Sequence, residues 1–209
     1  MTIPTFVRAA LIGASCLVSA CGNGGNENGN SSGGSGGCSG QTCPFNYASF
    51  NGSSPAVNFR TDLMGDQGTG PNGAGGILRR SCAFGTTCHG AEVGSKGTLF
   101  IAPPLLDGTN PYAITDADID TVLHNMTTGI LNIQSKTLPS MVRVKPGDPE
   151  NSFLMRKVDG CFEGLTGCTV QSGAVSNNEC GDRMPRSSQT LCADERDTIR
   201  RWIAQGANP

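Results

Sequence analysis

Aromatic side chains are scarce, at 5% of the 209 residues with a single Trp, and charged residues supply only 15%. The 15 basic and 17 acidic residues leave a net charge of −2 and form no basic stripe, which excludes the electrostatic footprint of a nucleic-acid binder. Histidine is confined to His89 and His124. Two imidazoles are too few for a zinc site unless reduced cysteines join them. No serine or cysteine stands in the surroundings of an activated nucleophile. Asp116, Asp118 and Asp120 read as the solvated start of a helix and not as an acid–base pair. No catalysis of its own is therefore expected of this chain. Apolar runs are short too, and none reaches the ~20 residues of a spanning helix.

Glycine and cysteine are what the chain has in quantity, with 30 and 10 residues. The start is distinctive. Arg8 supplies a positive charge, Ala9 to Val18 form an apolar run broken only by Gly13 and Ser15, and the small residues Ser19 and Ala20 lead into Cys21. A charged start, a short apolar core and a small-residue cleavage site make a secretory signal. Gly22 to Gly40 is almost wholly Gly, Asn and Ser, a composition that cannot bury enough apolar surface to offset its ordering entropy. These features divide the chain into a signal peptide over 1–20, a disordered, flexible tether over 21–55 and a folded domain over 56–209. Val18-Ser19-Ala20-Cys21 resembles the lipobox of bacterial lipoproteins. That resemblance implies a lipid on Cys21, a protein held to a membrane in the cell envelope, and, with Gly22 after the cysteine, the outer membrane facing the periplasm.

Beyond Cys16 in the signal and Cys21, eight cysteines remain: Cys38, Cys43, Cys82, Cys88, Cys161, Cys168, Cys180 and Cys192. An even set in an oxidising compartment implies disulfides, whose connectivity a sequence does not fix. Short loops close at the least entropic cost. The simplest arrangement joins neighbours: 38 with 43, 82 with 88, 161 with 168, and 180 with 192.

The patterning within 56–209 is helical. Val57 to Met64 starts a short helix, and Ile77-Leu78-Arg79-Arg80 resumes a helical pattern into Cys82. Thr115 reads as an N-cap, with Ile119, Val122, Leu123 and Met126 on one apolar face and Gly129 at the close. Asp148 caps a helix with Pro149 at its first position, carried by Phe153, Leu154, Lys157 and Val158 to Gly160. In the last helix Asp194 and Glu195 lie in the first turn and Arg200 and Arg201 near the end, matching the macrodipole. Ile199, Trp202 and Ile203 form its buried face, and Gly206 stops it. The expected class is all-α, a small helical domain with long loops.

One segment carries chemistry, Cys82-Ala83-Phe84-Gly85-Thr86-Thr87-Cys88-His89-Gly90. Cys88-His89 is the closing half of the c-type haem attachment motif C-x-x-C-H. With Val144-Lys145-Pro146-Gly147-Asp148-Pro149-Glu150-Asn151-Ser152-Phe153-Leu154, Met184-Pro185 and the closing Trp202-Ile203-Ala204-Gln205-Gly206-Ala207, it resembles a group of exported c-type cytochrome-like domains. The resemblance implies a cytochrome c-like fold around one haem c, with Cys82 and Cys88 as attachment thiols. It makes His89 the proximal iron ligand and Met184 the distal one, with the Trp202 helix packed over the helix around Ile77 and Leu78. His124 is the reserve ligand, otherwise a partly exposed histidine. A redox partner protein would follow from an electron-transfer role. The sequence departs from the pattern at Gly85, where the first motif cysteine belongs. Two readings stand: a tethered haem protein, and a haem-free, disulfide-stapled domain with a binding or structural role.

Overall fold

The pattern Ile199, Trp202, Ile203 sets one face of the C-terminal helix, and that face lies at the centre of the folded unit. The computed structural model describes residues 42–65, 76–83, 88–90, 99–101, 116–169, 180–186 and 191–208, with backbone alone for 116–119. These residues hold four α-helices: α1 (Ile77–Cys82), α2 (Asp116–Asn125), α3 (Phe153–Asp159) and α4 (Ala193–Ala204). Two π-helical turns, Phe59–Leu63 and Met126–Ile130, accompany them. Extended pairing among the described residues is limited to isolated bridges, such as Leu131 with Val144 and Val142 with Ser152. The all-α class holds for this part of the chain. Thr115, the expected cap of α2, lies outside the described residues, as do the signal segment and Cys21.

Ile199, Trp202 and Ile203 are at most 1% exposed. The Trp202 ring stacks on Phe59 with centroids 5.6 Å apart, and its Nε1 donates to the Asn208 carbonyl at 2.9 Å. Burying each such side chain stabilises by about 1.5–3 kcal/mol. Trp202 thus stacks on the π turn within a core that it shares with Ile77 and Leu78 of α1. An ion pair between Arg80 and Glu195 also joins α1 to α4. The π turn is closed by Asn58, whose side chain accepts from Thr61 N–H at 3.0 Å while Asp62 accepts from Asn58 N–H at 2.8 Å. It meets the start of α1 at Gly76. A Cβ there would lie 2.3 Å from the Leu63 carbonyl carbon and 2.4 Å from the Met64 and Gly65 nitrogens, so only glycine fits.

Two helix ends differ from expectation. Gly129 does not stop α2; the chain continues as a π turn to Ile130, burying Met126 and Ile130. Asp148 caps a turn and not α3, its Oδ1 accepting from Asn151 N–H at 3.1 Å. The bridge from Val142 to Ser152 holds Ser152 extended, so α3 begins only at Phe153. At its other end Gly160 takes the left-handed conformation (φ 73°) that suits a residue without Cβ.

The charged residues of α4 also behave differently. Arg200 is not a solvated dipole partner but is fully buried, donating to both Asp159 oxygens at 2.8 and 3.0 Å. Arg196 Nε approaches the same carboxylate at 3.6 Å, and Arg200 also pairs with Asp197. A segment ahead of the expected boundary covers this cluster. The Arg200 guanidinium lies 3.5 Å from the Phe45 ring centroid and 5.3 Å from that of Phe50. Gln205 accepts from Val57 N–H at 2.9 Å and donates to the Gly52 and Pro55 carbonyls at 3.1 and 2.9 Å. Residues from Cys43 to Pro55, assigned by composition to the tether, are therefore tied to the helical unit, which begins no later than Cys43.

The disulfides depart from neighbour pairing. Cys43 joins Cys161 across 118 residues, and Cys168 joins Cys180. Cys88 and Cys192 are also disulfide-bonded, while Cys82 is a buried free thiol. Each doubling of loop length adds only ~0.6 kcal/mol of closure cost, so packing decides the partners. Replacing Arg200 with Ala strands the buried Asp159 charge and removes the cation under Phe45. Urea unfolding should show a loss of about 3–5 kcal/mol; a loss under 1 kcal/mol, the usual scale of a surface pair, would contradict this role.

Candidate functional site: an apolar cavity lined by His89 and Met184

A cavity of about 240 Å³ opens among these elements. Helix α1 contributes Leu78 and Cys82, the second π turn Met126 and Ile130, and α3 Phe153, Leu154 and Lys157. Trp202 of α4 and Met184 of the 180–186 loop complete the wall with His89. Three of the four cofactor-binding residues expected from sequence, Cys82, His89 and Met184, thus line one cavity. The fourth does not qualify: Cys88 is disulfide-bonded, and its sulfur is committed there.

The surroundings of His89 suit a ligand. Its Nδ1 lies 2.8 Å from the Leu99 carbonyl oxygen, which makes Nδ1 the protonated nitrogen and leaves Nε2 with the lone pair. Metal-ligating histidines are commonly oriented by such a bond. Its backbone is held on both sides, His89 N–H donating to Cys82 C=O at 3.0 Å and Ile101 N–H to His89 C=O at 2.8 Å. Burial pushes the imidazole below its ordinary pKa of 6.5, with Arg143 and Lys157 lowering it further against the opposing Leu99 bond. The neutral ring is therefore the form present at neutral pH.

Met184 is half-buried, and its N–H donates to the Lys157 carbonyl at 2.8 Å. Lys157 also holds that loop from its other end, Nζ donating to the Cys180 and Asp182 carbonyls at 3.0 and 2.5 Å. Burial pushes this ammonium down to about 8, against the attraction of Asp182. Arg143 donates to the Gly129 carbonyl at 2.5 Å and lines the wall with Lys157, as Lys136 and Arg186 also do. Sequence reasoning missed all four. A Lys inside the apolar stripe of α3 was the available signal for one; nothing local marked Arg143. Burial pushes the Cys82 thiol up to about 12, so it carries its proton at neutral pH.

His124, the reserve ligand, is exposed and absent from the cavity wall. Cys43, Cys161 and Glu163 lie close enough to hold a cation, but the two sulfurs are joined to each other. No helix among the described residues is long and apolar enough to cross a membrane.

Scans against protein-family models, curated proteins and solved structures return no match to this chain, so geometry alone carries the functional reading.

The neutral His89 has a measurable consequence in the haem-free protein. The unfolded chain protonates near 6.5 and the folded one only at lower pH, so stability is retained above 6.5 and lost as pH falls from about 6.5 toward the folded value. The stability difference between wild type and His89→Gln should therefore shrink below about pH 6.5. A difference independent of pH from 5 to 8, with both proteins folded, would contradict a buried neutral imidazole.

Proposed function

We propose that this chain is an envelope-tethered haem protein of the c-type cytochrome kind, carrying electrons to and from a partner protein. The observation supporting it is that His89 and Met184, far apart in sequence, line the same apolar cavity, with His89 Nδ1 fixed by the Leu99 carbonyl. An imidazole and a thioether are the donor set of a six-coordinate, relatively high-potential haem iron. Bound haem supplies a one-electron couple, and the chain supplies its surroundings. His89 presents a neutral nitrogen and Met184 a soft sulfur. Met126, Ile130, Phe153 and Trp202 supply apolar lining. Lys157 fixes the loop that carries Met184. The signal-like start and Cys21 supply the tether, and this reading places the folded unit in the periplasm beside the outer membrane.

One observation favours a second reading, a haem-free, disulfide-stapled domain that binds something else in the same cavity. Cys88, the thiol next to His89, is already disulfide-bonded.

Titration of the purified, disulfide-intact protein with haemin separates the two. The first reading expects one haem per chain with a low-spin spectrum. His89→Ala should abolish that spectrum, and Met184→Ala should convert it to high-spin while haem stays bound. No saturable binding, or a spectrum indifferent to both substitutions, leaves the second reading.

A further inference from the structure

The free thiol on the cavity wall points to how the cofactor is held. We propose that Cys82 alone forms the covalent bond to haem, through a single thioether, and that Cys88 serves as a structural disulfide cysteine. The inference rests on the haem reading and deepens it.

Three observations carry it. Cys88 is engaged in a disulfide and has no thiol to offer. Cys82 is free, 6% exposed and lines the same cavity as His89 and Met184. The hydrogen bond from His89 N–H to the Cys82 carbonyl, at 3.0 Å, sets Cys82 beside His89 despite the residues between them. The chain thus joins the backbones of Cys82 and its candidate ligand by a hydrogen bond and lines one cavity with both side chains, where the C-x-x-C-H pattern relies on spacing.

The reaction balances without an oxidant. The Cys82 S–H adds across one haem vinyl group. Sulfur bonds to the vinyl carbon next to the ring, the hydrogen goes to the terminal carbon, and nothing leaves. The second vinyl keeps its double bond.

The test uses the full chain expressed with a cytochrome c maturation system. The wild type should retain haem after denaturation, with the mass of one haem added. Its pyridine haemochrome band should fall between those of two-thioether and unattached haem. Fragmentation of the tryptic peptide 81–96, which contains both Cys82 and Cys88, should place the haem on Cys82. Cys82→Ala should lose haem on denaturation yet still show a low-spin spectrum when native. Cys88→Ala, where it folds, should keep covalent haem. Haem found on Cys88, retained covalently by Cys82→Ala, or released by the denatured wild type overturns the single-thioether inference and leaves the haem reading intact. A wild type that takes up no haem by maturation or by titration overturns both.

Discussion

The carboxylate of Asp159 is the fixed point of this molecule. It sits in the last turn of α3, where its charge opposes the helix dipole, and it is buried together with Arg196 and Arg200 of α4. An isolated buried charge would be costly. Paired to Arg200 through two hydrogen bonds, it fixes the relative placement of α3 and α4. Arg200 in turn is the seat for Phe45 and Phe50, and the Cys43–Cys161 disulfide fastens that aromatic segment two residues beyond Asp159. One buried cluster joins the N-terminal segment, α3 and α4.

The cavity follows from that placement. Helix α3 offers Phe153, Leu154 and Lys157 to one side, and α4 offers Trp202. Lys157 lies one turn or less from Asp159 and ties the Met184 loop to α3. Three hydrogen bonds join the described residues Cys82, His89, Leu99 and Ile101 on the cavity wall: the His89 N–H to the Cys82 carbonyl, the Ile101 N–H to the His89 carbonyl, and the His89 ring to the Leu99 carbonyl. The buried polar cluster and the cavity thus share the two helices α3 and α4.

Much of the helical unit was legible in the sequence because its signals are local. The Ile199, Trp202, Ile203 stripe, the acidic first turn of α4 and the glycine after α3 each act within one or two turns. His89 and Met184 were legible as candidates through their immediate neighbours, Cys88 and Pro185. What was not legible is long-range. The choice of Cys161 for Cys43, the burial of Arg200 and the inclusion of residues 43–55 all depend on a surface that exists only after α3 and α4 pack. Composition assigned 43–55 to the tether because Gly, Asn and Ser surround it, although Phe45, Tyr47 and Phe50 are apolar enough to dock. The neighbour-pairing rule for disulfides failed for the same reason. Loop entropy varies too slowly with length to outweigh packing.

The central proposal is that His89 and Met184, which line one cavity, would both hold a haem iron. Diffraction at the iron absorption edge, on crystals of the protein matured with haem, tests it most directly. The account predicts one anomalous peak per chain inside the cavity, within bonding distance of both His89 Nε2 and Met184 Sδ. A peak bonded to neither residue, or a cavity filled by another molecule with no iron, would contradict it.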